Sequence, residues 1–219
     1  MLRAVRDLAP PSRGARVARG LLASGWLLLA LLVLTMLAAG PLRPVDIALN
    51  FQHDRMSFNP TLLTIDRIGQ RAVCVPVLVV VAALAGRRRR SWRPLVVAGL
   101  SVLVVNVAVG VLKLGLERGA PYDRQPAFFV DGVMYPSGHS ANVVLVYGLA
   151  AYLWWRYAGA SRRTRVWLVA AVVFLAHVMV LVSLALGFHW FTDLVAGVLV
   201  GGAVLQAVTT VDRAMPLRR

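Results

Sequence analysis

The chain has 219 residues, 59% of them hydrophobic and 15% charged, with a formal net charge of +15 at pH 7. This is too apolar for an ordinary soluble domain, and the length allows one domain. The net charge alone could suggest a nucleic-acid partner, but 23 of the 24 basic residues are arginines and they cluster between apolar runs, which reads as membrane topology rather than a nucleic-acid-binding face.

Taken in order, residues 1–19 form a basic tail with Arg3, Arg6, Arg13, Arg16 and Arg19. The run Leu21–Ala39 is long enough to span a bilayer, which takes ~20 apolar residues. A cleaved signal peptide has a shorter apolar core of ~7–15 residues, so a retained helix is expected. Residues 41–71 are mixed, with Asp46, His53, Asp54 and Asp66 among four arginines. Here Pro60 and the pattern Leu62, Leu63, Ile65, Ile68 predict a short amphipathic helix at the interface, and His53 reads as a solvated loop residue. Ala72–Gly86 is a short second span that must borrow residues near Ile68–Arg71; its Cys74, the sole cysteine, reads as a small buried apolar residue. Pro94–Leu112, Ser140–Tyr157, Val166–Phe188 and Trp190–Val211 complete six expected spans. The expected organisation is an all-α, six-helix transmembrane bundle over residues 20–211, with a short tail over 212–219.

Seventeen arginines fall in the two tails and the turns at 87–93 and 156–165, whereas the intervening segments hold seven basic residues offset by six acids. The positive-inside rule then places both termini in the cytoplasm. The segment 41–71, the loop 113–139 and the turn at His189 face outward. Trp92, Trp154, Trp155, Trp167 and Trp190 stand near span ends as interface anchors.

This topology, read from arginine placement alone, collects the chemistry-bearing residues on the outer face. Tyr135-Pro136-Ser137-Gly138-His139 precedes an apolar run. Pro136 and Gly138 break regular structure, and Ser137 suits a helix N-cap, where free N–H groups favour an anion such as phosphate. His189 and Asp193, four apart at the head of the last run, share a helix face. A carboxylate beside an imidazole orients it and stabilises its cation, so His189 is a candidate nucleophile toward phosphorus. His139 is placed to protonate a leaving oxygen. Ser137, Gly138, Lys113 and Arg118 are candidate phosphate contacts. Phosphoryl chemistry of this kind calls for positioning and electrostatics and for no metal or other cofactor. Two His and one Asp also match zinc-ligand types, but without the spacing of a zinc motif. His177, inside a span, reads as a neutral imidazole bonded between helices. Gly187 reads as a turn that approaches the site closely, and Gly197, Gly201 and Gly202 as close helix packing.

These residues resemble the type 2 phosphatidic acid phosphatase superfamily, which includes bacterial lipid phosphatases and haloperoxidase relatives. The family has the motifs Lys-x6-Arg-Pro, Pro-Ser-Gly-His and Ser-Arg-x5-His-x3-Asp. The second stands intact at 136–139, the end of the third stands as His189 to Asp193, and the first is partial, from Lys113 through Arg118 to Pro121. The resemblance implies a phosphohistidine on His189, oriented by Asp193, with His139 as general acid and Lys113, Ser137 and Gly138 binding phosphate. Two motif arginines are replaced, by Ala120 and Ser183. Arg118 and Arg124 are the arginines read as substitutes.

The expected activity is a metal-independent phosphatase of the cell membrane. Its substrate would be a lipid phosphate or diphosphate, either a prenyl diphosphate such as undecaprenyl diphosphate or a glycerolipid phosphate. The site would face outside the cytoplasm, with Phe128, Phe129 and Tyr135 near the acyl region. A weakly active lipid-phosphate-binding protein and a lipid phosphotransferase remain the alternatives, and the oligomeric state is open.

Overall fold

The structure, a computed structural model, describes residues 12–50 and 59–217. His53 lies outside these residues. The helices are α1 (Arg13–Ala38), α2 (Arg43–Ala48), α3 (Pro60–Asp66), α4 (Arg71–Arg89), α5 (Arg93–Leu116), α6 (Gly138–Asn142), α7 (Gly148–Ala158), α8 (Arg162–Ala185) and α9 (Phe191–Ala214). Among the described residues there is no strand. Local chemistry sets several boundaries. The side chains of Ser12, Asn59 and Ser161 each accept a backbone N–H at the start of α1, α3 and α8. Left-handed Arg90 and Glu117 stop α4 and α5. Helix α1 begins inside the segment read as a tail.

Helices α1, α5, α8 and α9 are each long and apolar enough to cross a membrane, and a fifth span forms if the α3 segment and α4, bent by 46° at Gln70, count as one. The run expected as a single span over 140–157 is a continuous helical stretch made of α6, a π-helical turn (Val143–Tyr147) and α7. The short helix expected near residue 60 is α3, continued by a 3₁₀ turn over Arg67–Gly69. It packs on α6 and α8 with Asp66 and Gly69 buried, rather than only lying at an interface.

Small residues let the helices approach, as expected where lipid supplies no hydrophobic contrast. A Cβ at Gly197 would stand 2.3 Å from Ser137 O, and one at Gly201 would stand 2.5 Å from Ala141 O, so α6 and α9 touch backbone to backbone. Gly202 meets only Leu27 at ordinary distance. Val105, Ala141, Leu145, Ala196 and Val200 form one buried cluster, and Cys74, Leu78, Leu149, Leu153 and Tyr157 belong to another. Large apolar side chains such as Leu22, Trp26, Val111, Phe174 and Leu181 face outward. Trp190 does not: it is buried, and its indole N–H donates to Gly119 O at 2.8 Å, so it ties a loop to α9 and is no interface anchor.

The two ends of the bundle differ. At one end, buried Asp212 of α9 accepts from Arg93 Nε (2.8 Å), Tyr152 OH (2.6 Å) and Tyr157 OH (2.8 Å), and pairs with Arg156 Nε at 2.8 Å. This gathers the ends of α5, α7 and α9. The lengths and directions of these helices then carry the head of α9, the head of α6 and the last turn of α5 to the opposite end, where the histidines lie.

Candidate active site

The head of α9 is built around Asp193. Its Oδ2 accepts the Trp190 N–H at 3.0 Å, closing the first turn, and stands 3.4 Å from His189 Nδ1. Because α9 starts only at Phe191, this pair meets across the capping turn rather than along a helix face. Gly187, with φ of 66°, makes the reversal that turns the chain from α8 into His189. Ser137 N donates to Asp193 O at 2.9 Å, which joins the head of α6 to the head of α9.

Asp193 is also fully buried, and its second oxygen is held from behind. Arg118 Nη1 donates to Asp193 Oδ1 and to Thr192 Oγ1, both at 2.6 Å, and Arg118 Nη2 donates to Asp46 Oδ2 at 2.6 Å. Asp46, from α2, also accepts the Thr192 N–H at 2.9 Å and its hydroxyl at 2.7 Å. The guanidinium is wholly buried and lies 4.8 Å from the Phe128 ring centroid and 5.6 Å from that of Tyr135. Arg118, expected as a phosphate contact, is therefore a buried strut behind Asp193, since two carboxylates and two rings enclose it. The same packing corrects the acyl-region reading of Phe128 and Tyr135, which are buried around Arg118; only Phe129 is exposed.

A cavity of about 760 Å³ opens at this end, lined by Lys113, Gly138, His139 and His189, and also by Asp66, Arg71 and Asn106. Lys113 sits in the last turn of α5 and donates to Val133 O. His139 is the second residue of α6, and its ring is about one-third exposed. Ser137 does not line the cavity. It is fully buried as the N-cap of α6, accepting the Ser140 N–H, so this expected phosphate contact is displaced to a structural position. Arg124 does not line the cavity either.

Asp66 is a site residue missed from the sequence. Its Oδ2 stands 3.5 Å from His139 Nε2, within ion-pair distance, and its Oδ1 accepts from Ser183 Oγ at 3.2 Å. Gly69 allows this approach, because a Cβ there would lie 2.9 Å from His139 Cβ. A signal was present: Asp66 falls four after Leu62 and three after Leu63, which puts a carboxylate on the apolar face of α3. Burial holds the His139 pKa below the ordinary imidazole value; Asp66 opposes this, and the positive charges of His189, Lys113 and Arg71 reinforce it. Asp46 carried no such signal. Asn106, alone among apolar neighbours in α5, did.

His177 stands apart from the site. It is exposed on α8, and its Nδ1 pairs with Val173 O at 2.8 Å on its own helix, not with a neighbouring helix. Among the described residues, no group of three or more His, Cys, Asp or Glu side chains is placed to hold a metal ion.

Fold and site together define a helical membrane protein with two histidines, one backed by a buried carboxylate, on one polar cavity. The chain belongs to the PAP2 superfamily, which residues 94–215 match. It is 28% identical over 152 residues to Phosphatidylglycerophosphatase B of Bacillus subtilis (strain 168), covering 65% of this chain and 70% of that protein. Its fold is similar to the crystal structure of the first transmembrane PAP2 type phosphatidylglycerolphosphate phosphatase from Bacillus subtilis. The TM-score is 0.76 at 22% identity, over 90% of this chain and 98% of that one.

Proposed function

We propose that this protein is a membrane phosphatase acting on a lipid phosphate, with a glycerolipid phosphate monoester of the phosphatidylglycerol phosphate type as the first candidate and a prenyl diphosphate as the second. The observation that carries the reading is the meeting of His189, His139 and Lys113 on one cavity, with Asp193 3.4 Å from His189 Nδ1. The Bacillus relative favours the glycerolipid.

In the first step, His189 Nε2, the nitrogen that Asp193 does not engage, attacks phosphorus. A P–N bond forms and the bond from phosphorus to the lipid oxygen breaks. His139 gives its proton to that oxygen, so the lipid leaves as an alcohol, or as a monophosphate from a diphosphate. In the second step water attacks phosphorus, His139 takes its proton, and the P–N bond breaks to release inorganic phosphate. Asp193 stabilises the imidazolium of His189, and the Arg118–Asp46 pair fixes Asp193. Lys113 and the N–H groups at Gly138 draw on the nonbridging oxygens. The six-span arrangement, with both termini cytoplasmic and the cavity outside, belongs to the same reading, and the arginine distribution supports it.

The test is phosphate release by the purified protein in detergent with EDTA present, from phosphatidylglycerol phosphate, phosphatidic acid and a prenyl diphosphate. Release is expected from at least one lipid and is expected to fall by about 10⁴-fold or more in His189→Ala. Equal release from both proteins would sink the reading.

A further inference from the structure

The cavity must hold a group carrying close to two negative charges, yet Ala120 and Ser183 bring it no cation, Arg118 is enclosed behind Asp193, and Arg124 lies off it. Among the described residues, one arginine lines this cavity: Arg71, the first residue of α4. Arg71 lies outside the three motifs.

Arg71 is held as a ligand-binding group would be. Its Nη1 donates to Asn106 Oδ1 at 3.1 Å, and Asn106 Nδ2 in turn donates to Val102 O at 2.7 Å, so the amide is fixed on its own helix. Among the described residues no carboxylate pairs with Arg71, unlike Arg93, Arg118 and Arg156. Asn106, Val109, Gly110 and Lys113 all line the cavity at helical spacing, which puts Asn106 and Lys113 on one face of α5, ~10 Å apart along its axis. An Asn within an apolar membrane helix is costly without a polar task, and orienting Arg71 is such a task. The charge of Arg71 is near enough to act on the His139 imidazole.

We propose that Arg71, oriented by Asn106, binds the nonbridging oxygens of the substrate phosphate opposite Lys113, taking the place left by Ala120 and Ser183. This rests on the phosphatase reading above. A guanidinium presents a fork matched to two phosphate oxygens, which the single ammonium of Lys113 does not.

The experiment compares wild type, Arg71→Ala, Arg71→Lys and His189→Ala in detergent, reading turnover, folding by thermal shift, and inhibition or binding of orthovanadate as a phosphate mimic. Arg71→Ala is expected to lower kcat/KM about 10–100-fold, with KM raised, and to weaken vanadate by a similar factor. Arg71→Lys keeps the charge without the fork, and so should fall between. Added ethylguanidine should restore part of the Arg71→Ala loss, which a merely structural contact between α4 and α5 would not allow. Unchanged kcat/KM and vanadate affinity in folded Arg71→Ala, with His189→Ala inactive, would overturn the inference and leave the phosphatase reading standing. If His189→Ala were as active as wild type, the phosphatase reading would fail; vanadate binding would still decide Arg71, because it needs no turnover.

Discussion

Asp66 sets a carboxylate oxygen 3.5 Å from Nε2 of His139, so both histidines of the cavity have an acidic neighbour. The two pairs are built differently. Asp193 is sealed by Arg118 and Trp190, whereas Asp66 is steadied by the Ser183 hydroxyl at 3.2 Å. Ser183, a departure from the family motif, thus has a partner of its own.

The first prediction concerns pH. In the proposed mechanism His139 is the general acid and must be protonated, so activity is expected to be lost as pH rises through its pKa. That pKa is lowered by burial first; Asp66 of α3 raises it, and His189 before α9, Lys113 of α5 and Arg71 of α4 lower it. Asp66→Asn removes the opposing negative charge, so the alkaline limb of kcat/KM should move to lower pH. Arg71→Ala should move it to higher pH. Profiles between pH 5 and 9 check both signs; an Asp66→Asn limb that stayed in place would show that the carboxylate does not govern His139.

Arg118→Ala should destabilise the fold by about 3–5 kcal/mol, since it strands Asp46 and Asp193 as buried charges. Arg118→Lys should recover only part, because one ammonium cannot reach both carboxylates and Thr192 together. Thermal unfolding in detergent measures both. An unchanged midpoint for Arg118→Ala would mean the network stores little stability.

Gly201→Val places a side chain where Ala141 O lies 2.5 Å from the Cβ position. Overpacking of this kind costs ~1–3 kcal/mol. It should also push α6 away from α9 and carry His139 off the cavity, so turnover should fall further than stability alone explains. Comparing activity per folded molecule with the thermal midpoint separates the two effects.

Asp212→Ala tests the opposite end. Removing this buried acceptor leaves Arg93, Arg156, Tyr152 and Tyr157 without a shared partner, at a cost of about 3 kcal/mol or more. Turnover per folded molecule should stay near that of wild type, because Asp212 lies at the far end of α9 from His189. A selective loss of turnover at full stability would contradict that separation.

Membership of the family was legible from the sequence because its motifs are local. Pro136–His139 and His189–Asp193 are short strings whose spacing survives in one dimension, and apolar runs reveal membrane helices through length alone. Gly197 and Gly201 were legible as packing residues for the same reason.

What the tertiary structure decided is which polar groups meet. Arg118 and Arg71 are equivalent in composition, each an arginine near the end of an apolar run. Folding buries Arg118 between Asp46 and Asp193, 72 and 75 residues away, and leaves Arg71 exposed at the cavity's lining beside Asn106, 35 residues on. Likewise Asp66 reaches His139 only because α3 bends from α4 and Gly69 lets it approach. Periodicity reports which face of a helix is apolar; it carries no information on which distant carboxylate that face will meet, since ion pairing depends on packing between elements far apart in the chain.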